Sequence, residues 1–269
     1  MSDPIRILQV FIRMGRGGSE SMIMNYYRNI NREKVQFDFL VHRIERGAFD
    51  DEIEKLGGII YRLPNINPLF PKKYYVELRN FFNKNKNNYK IIHSHLNTFS
   101  SYPLKIAKEF NIPVRIAHAH TALEPITLKN ILLKKKVKET FKQIIKLILK
   151  KRIHNSTTDY FSCGEKAGNW LFGFKQSYQI LNNAIDTKQF IFNYDLAILN
   201  KQKFNLTNNI VIGHVGNFTE PKNHKFLLSI FKKISEQHNK AKLVLIGDGP
   251  LMQNVKNLAK DLLIDDYVL

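Results

Sequence analysis

Two His-x-His pairs are the residues best placed to do chemistry: "HSH" at 93–95 and "HAH" at 118–120, each closing an apolar run. Alternation along a strand puts His93 with His95, and His118 with His120, on the same face. Ligands of open α/β sheets bind at the carboxyl ends of the strands, where both pairs would stand. A single buried histidine is most often structural, but two pairs at that edge are harder to set aside. Neither pair has a Cys, Asp or Glu at a metal-ligand spacing. Polar contact to a hydroxyl-rich substrate is therefore expected, and no metal.

Two glycine loops add anion chemistry. "RMGRGGSESM" (13–22) follows the first apolar run. Its glycines, including Gly17 and Gly18, let backbone approach a ligand, and the next helix would offer free N–H groups to an anion. A dinucleotide fingerprint fails here: Glu20 stands where the third glycine belongs, and no carboxylate sits cleanly at the end of the second strand. Around "HVGNFTEPKNH" (214–224), Gly213 just before it and Gly216 within it flank a strand end. Lys222 is expected at the start of the following helix, where ammonium and helix dipole both favour a phosphate. "GDGPL" (247–251) repeats the strand–glycine–helix device one unit later.

These residues need a sheet to position them. Apolar runs of strand length lie at 5–12, 36–42, 59–63, 90–95, 114–120, 159–163 and 178–181. They are continuous rather than alternating, as suits strands buried on both faces of a parallel sheet. Amphipathic segments at 19–30, 72–86, 100–110 and 127–152 separate them, which predicts a doubly wound α/β domain with right-handed crossovers. After "NNAID" (182–186) comes a polar stretch, 187–208. The pattern then restarts with "NIVIGHV", a helix over 222–237, "AKLVLIGDG", a helix over 251–262 and "YVL", the first residues of another strand. The boundaries drawn are 1–185 for a first Rossmann-like domain and 186–269 for a second, incomplete one.

Composition narrows the partners. The net charge of +19 implies an anionic partner, whether nucleic acid, acidic membrane or phosphorylated substrate. Cys163 is the only cysteine, so no disulfide frame or zinc cluster is expected and a reducing compartment fits. Segment 127–152 is the most basic. Leu133, Val137, Phe141, Ile144, Ile145 and Ile148 are expected to pack on the sheet. Lys135, Lys138, Lys142, Lys146 and Lys150 would form an opposite, solvated face able to adsorb to an anionic surface.

Taken together the motifs resemble the retaining glycosyltransferases of the GT-B fold, the large fourth family, and within it the enzymes of capsular and exopolysaccharide synthesis. "GGSE" resembles that family's Gly-Gly-x-Glu turn after strand one. "AHAHT" is similar to its strand-end histidine followed by Thr, which implies His120 as the residue meeting the donor sugar. "FSCGEKAGNWLFG" (161–173) looks like the segment ending the first domain, and "NNAID" like the Asn-Gly-Ile/Val-Asp crossover, with Ala184 in place of Gly. "HVGNFTEPKNH" resembles the Val-Gly-Arg-Phe/Leu…Lys-Asn/Gly stretch whose Arg and Lys hold the donor diphosphate.

The resemblance implies a donor-binding set of Gly17, Gly18, Gly216, Asn217 and Lys222, with His120 catalytic. Glu20, His95 and His118 are placed on the acceptor side or given no fixed role. Asn217 stands where the family has arginine, a loss of a bidentate phosphate ligand. The family's Glu-seven residues-Glu motif is not found before Leu269, so the chain is expected to be the first two thirds of an enzyme.

The leading reading is transfer of a sugar from a UDP- or GDP-sugar to a lipid-linked glycan acceptor. The protein would lie in the cytoplasm, peripheral to the inner face of the plasma membrane, with no cofactor and no metal. Departing diphosphate would be stabilised by Lys222 and loop amides. A NAD(P)- or nucleotide-sugar-dependent Rossmann enzyme is one rival. A basic module for membrane or nucleic acid is another, although the lysine face lacks the aromatic residues expected of an RNA binder, so no nucleic acid is expected.

Overall fold

The computed structural model describes residues 3–122 and 137–269. The chain divides into two compact units, Met1–Asp186 and Thr187–Leu269. Among the described residues of the first unit, seven strands form one sheet: β1 (Ile5–Phe11), β2 (Val35–Val41), β3 (Ile60–Arg62), β4 (Ile91–Ser94), β5 (Val114–Ala119), β6 (Asp159–Ser162) and β7 (Gln179–Ile180). Their order is β3-β2-β1-β4-β5-β6-β7 and every pairing is parallel. The doubly wound class expected from the apolar runs is the one observed.

Strand order reverses between β1 and β4, which makes the crevice at their carboxyl ends the switch point where such sheets bind ligands. Helices α1 (Gly18–Asn29), α2 (Asp50–Lys55), α3 (Lys72–Asn85), α4 (Ser101–Glu109), α5 (Val137–Ile153) and α6 (Glu165–Phe172) cover the faces. One apolar cluster, with Met22, Met24, Tyr27, Phe37 and Phe39, packs α1 and α2 on the sheet. A larger one, with Leu8, Tyr74, Phe82, Ile92, Leu104 and Leu149, lies under α3, α4 and α5.

The β2 carboxylate is a structural anchor. Asp38 is fully buried and accepts from Arg6, from the Tyr89 hydroxyl at 2.7 Å and from the Ile59 amide at 2.8 Å. A dinucleotide site needs its acidic residue free at the end of that strand, and Asp38 is spent in mid-strand.

The face of α5 differs from expectation. Ile144 and Ile148, assigned to the packed stripe, are about half exposed, and so is Leu147. The packed side runs through Ile145, Leu149 and Ile153, one residue further round. Lys150, assigned to the solvated face, is half-buried, with its ammonium 5.6 Å from the centre of the Trp170 ring. Both stripes are apolar at i, i+4 spacing, so periodicity alone could not choose between them. Lys135 and Leu133 lie outside the described residues, as do the side chains of Val137, Lys138, Phe141 and Lys142.

In the second unit, β8 (Ile210–Val215) and β9 (Ala241–Ile246) pair in parallel. The "YVL" end extends this pair as expected: Val268 bridges Leu243, and the Leu269 amide donates to the Leu243 carbonyl at 2.8 Å. Helices α8 (His224–Gln237) and α9 (Met252–Asp261) bury Leu228, Phe231, Val255 and Ala259 against the pair. The stretch 187–208, expected to be merely polar, contains α7 (Tyr194–Lys203), whose N-cap Asn193 accepts from the Leu196 amide. No residue of α7 is buried, and Phe190, Ile191 and Phe192 just before it are exposed.

Candidate functional site

The first unit gathers all four strand-end histidines. Register pairs His93 on β4 with Ile116 on β5 and Gln9 on β1, so the two His-x-His segments run side by side. His93 Nε2 lies 3.0 Å from His118 Nδ1, and His95 Nδ1 lies 2.8 Å from His120 Nε2. His118 is fully buried, and His93 and His95 are nearly so; only His120 is partly open. His95 and His118 therefore stand behind His120 rather than beside it. Phe11 stacks on the His95 ring with centroids 4.2 Å apart.

Burial holds all four imidazoles neutral. Desolvation lowers His120 to about 4 and His93 to about 3, and pushes His95 and His118 well below the ordinary value. Neutral histidines have one donor and one acceptor each, so their contacts fix one another. Gln9, a buried side chain, offers its Oε1 to His95 Nε2 at 2.9 Å, which makes that nitrogen the donor. His95 Nδ1 must then accept, and His120 Nε2 must donate to it. His120 Nδ1 is left as a lone pair with no partner among the described residues.

The His120 backbone is pinned as well. Its N–H donates to Asn97 Oδ1 at 2.9 Å, and the Cys163 thiol lies 3.5 Å from its carbonyl oxygen. Asn97 adopts a left-handed φ of 50°, a conformation Asn tolerates better than most residues. Neither Asn97 nor Gln9 was singled out from the sequence. Gln9 left a usable signal, being with Arg6 one of two polar residues inside the apolar run "IRILQVF" and the uncharged one.

His93, His95 and His118 bring ligand nitrogens within 4.8 Å of one another, compact enough to invite a metal. Within this set His93 Nε2 and His118 Nδ1, 3.0 Å apart, are hydrogen-bonded to each other, and the His95 Nδ1 and Nε2 atoms are taken by His120 and Gln9. Ligands of one tetrahedral zinc, at bond lengths of about 2.0–2.1 Å, would sit roughly 3.3 Å apart.

Gly17 caps α1 without a side-chain bond, and a Cβ added there would fall 2.5 Å from the Glu20 carboxylate, whereas one on Gly18 would meet nothing within 4 Å. The loop is open at Gly18 and covered by Glu20 at Gly17. Glu20, in the first turn of α1, accepts from the Ser19 hydroxyl at 2.6 Å.

In the second unit the two glycine loops are stitched together. The Gly216 amide donates to Ile246, the Phe218 amide to Asp248 and the Leu251 amide to Phe218. A Cβ on Gly247 would fall 2.1 Å from the Gly216 carbonyl oxygen, so only glycine permits that approach. Lys222 ends a single turn, Glu220–Lys222, and precedes α8 rather than opening it. Its stem lies over Gly216, where a Cβ would come 3.3 Å from Lys222 Cε. Asn217 and Lys222 are both exposed. Beneath them His224 stacks on Phe218 at 4.4 Å and meets His214 edge-on at 5.0 Å. Burial, then His214 and Lys222, lower the His224 pKa.

Two parallel-sheet Rossmann-like units in this order define the GT-B type of fold. The chain superposes on the Anabaena Alr3699/HepE crystal structure with UDP and glucose at a TM-score of 0.74 and 15% identity, covering 98% of this chain and 68% of that one. It matches the same protein with UDP-glucose at a TM-score of 0.72. Residues 197–269 match the family model described as glycosyl transferases group 1. The chain is 33% identical over 261 residues to a Bacillus subtilis (strain 168) protein named as the glycosyltransferase EpsF, covering 95% of this chain and 65% of that protein. It is 28% identical over 238 residues to the capsular polysaccharide biosynthesis glycosyltransferase CapH of Staphylococcus aureus, covering 87% of this chain and 59% of CapH. The chain thus spans a little under two thirds of these relatives.

Proposed function

We propose that the protein moves a sugar from a nucleotide-sugar donor, a UDP-sugar in the first instance, to a growing polysaccharide acceptor. The observation that carries this is the pinned, neutral His120 at the carboxyl edge of a sheet whose fold neighbour holds UDP-glucose. His120 would meet the donor sugar through its Nδ1 lone pair, which can accept from a sugar hydroxyl. In the second unit, Lys222 with the Gly216 and Asn217 backbone would take the diphosphate; in the first unit, taken by itself, Gly17 and Gly18 are the backbone positions assigned to the donor. His95 and His118 serve by orienting His120, and Glu20 remains on the acceptor side. Transfer of a hexose with retention at the anomeric carbon is the reaction proposed. Charge on the leaving diphosphate is met by the Lys222 ammonium and loop amides, with no metal or cofactor called for.

We also propose a lipid-linked acceptor, reached by peripheral adsorption to the anionic inner face of the plasma membrane. Ile144, Leu147 and Ile148 form a half-exposed apolar stripe on α5, flanked by Lys151. No helix among the described residues is long and apolar enough to cross a membrane. The experiment is incorporation of labelled sugar from a panel of UDP- and GDP-sugars into the organic-extractable fraction of acceptor membranes, using the full-length protein. Incorporation from one donor, with stereochemistry retained, is expected; hydrolysis or no turnover across the panel would refute it.

A further inference from the structure

A groove of about 780 Å³ lies on the flank of the first unit, between α4 and α5, and the proposed reaction does not use it. Its volume is within the range of small-molecule sites. Ser101 stands at one end, at the start of α4, with only 5% of its surface exposed and its hydroxyl without a partner among the described residues. A buried, unpaired hydroxyl costs free energy, and a groove ligand would satisfy it. Lys105 and Lys108 line the wall one turn apart on α4, and Arg152 faces them from α5.

The charge of this groove is not cancelled from within. Its acid, Glu109, is engaged by Arg79, with Nε and Nη2 at 2.9 and 2.8 Å from one carboxylate oxygen. No ion pair among the described residues involves Lys105, Lys108 or Arg152. Lys108 donates to the Asn155 carbonyl at 2.7 Å, which holds its ammonium at the far end. Three cations remain for an anion.

The shape and lining choose the ligand. From Ser101 to Glu109 the helix rises about 12 Å, so the groove is elongated. The lining carries the hydroxyls of Ser101 and Ser156, the amides of Asn111 and Asn155 and three cations, which suits a chain rich in hydroxyls and carrying acidic groups. An acyl chain would find little to bury it, since Leu149 is the aliphatic residue of the lining and is itself 2% exposed. A nucleobase would need a free aromatic face. Lys105 and Arg79 already stand over the Tyr75 ring, 5.2 and 5.8 Å from its centre.

We infer that this flank groove binds an acidic oligosaccharide, separately from the donor site. Its Ser101 end is four residues from Asn97, which accepts the His120 N–H, so a bound glycan would run from the reacting edge down the flank. The test reads binding and not transfer, so its failure and that of the proposed reaction are told apart.

The probe is trigalacturonic acid, titrated calorimetrically into the 269-residue chain, with neutral maltotriose and tetraglutamate as comparators. Trigalacturonate should bind, with affinity falling as salt rises. Maltotriose and tetraglutamate should each bind at least about tenfold more weakly, a difference of about 1.4 kcal/mol. The exposed-residue double variant Lys105→Gln/Arg152→Gln should lose about tenfold or more for trigalacturonate while keeping the melting temperature and UDP affinity of the parent. Ser101→Ala should also weaken trigalacturonate. No binding, equal binding in the Gln variant, or tetraglutamate binding as well as the saccharide would each overturn the assignment.

Discussion

His120 donates its Nε2 proton to His95 Nδ1 across 2.8 Å, because Gln9 has already claimed the other His95 nitrogen as a donor at 2.9 Å. The relay sets which nitrogen of His120 faces outward as a lone pair. Gln9→Leu removes the acceptor that fixes it. We expect the variant to keep UDP affinity and to lose turnover by about tenfold or more, as a mispositioned proton would. Gln9→Glu, which still accepts, should recover most of the rate. Equal turnover in Gln9→Leu would show that His95 needs no such partner.

Lys222 and Gly216 form the second test. Lys222→Ala removes a charge-assisted contact to phosphate and should weaken UDP binding by at least about tenfold. Gly216→Ala should act in the same direction, since its Cβ would come 3.3 Å from Lys222 Cε and shift the side chain. Both positions are at the surface edge of the loop, so the melting temperature should hold. Calorimetry with unchanged UDP affinity in both variants would remove this loop from the donor site.

Acid should destabilise the first unit before its carboxylates titrate. His42 accepts from the Tyr74 hydroxyl and donates to the Phe11 carbonyl, and burial lowers it to about 4; His120 stands at about 4 and His93 at about 3. An unfolded histidine titrates near 6.5, so below that the unfolded chain binds more protons than the folded one. The stability these groups contribute is full above about 6.5 and is lost as pH falls toward their folded values. By pH 5 the loss is about 2 kcal/mol for His42 alone. Melting temperatures measured from pH 7.5 to 5 should fall steadily; a flat profile would mean the imidazoles are not held neutral.

Hydrogen exchange should separate the two units. β8 carries exposed Ile210 and Val215 and pairs with β9 alone, whereas β1 sits between two strands with Leu8 and Val10 at zero exposure. Amides of 210–215 should exchange well before those of 5–11 and 114–119. Equal protection would make the second unit as cohesive as the first.

Vesicle sedimentation tests the α5 stripe. Ile144→Ser/Leu147→Ser/Ile148→Ser should abolish binding to phosphatidylglycerol vesicles while leaving phosphatidylcholine vesicles unbound by parent and variant alike. Undiminished binding by the triple-Ser chain would move adsorption to another surface.

The fold was legible because parallel strands buried on both faces are continuous apolar runs, and "IRILQVFI" or "VRIAHAH" cannot be mistaken for surface. The His pairs were legible for the same reason: period-two spacing put His93 with His95 and His118 with His120. Their pairing across strands was not, since the register that sets His95 against His120 is a property of the sheet. The α5 face failed because two apolar stripes competed, and only packing on α4 selected Ile145, Leu149 and Ile153. The Asn97 and Cys163 contacts to His120 are backbone contacts, which residue type does not announce.

The most direct measurement is the steady-state rate of sugar transfer by the full-length protein with His120→Ala, alongside its melting temperature and UDP affinity. Loss of His120 leaves the buried His95 Nδ1 without its donor, so the melting temperature should fall modestly while the protein stays folded and UDP stays bound. The account predicts a fall in kcat of about 100-fold or more at a temperature where the variant is fully folded, with UDP affinity intact. A His120→Ala enzyme that turns over at the parent rate would contradict it.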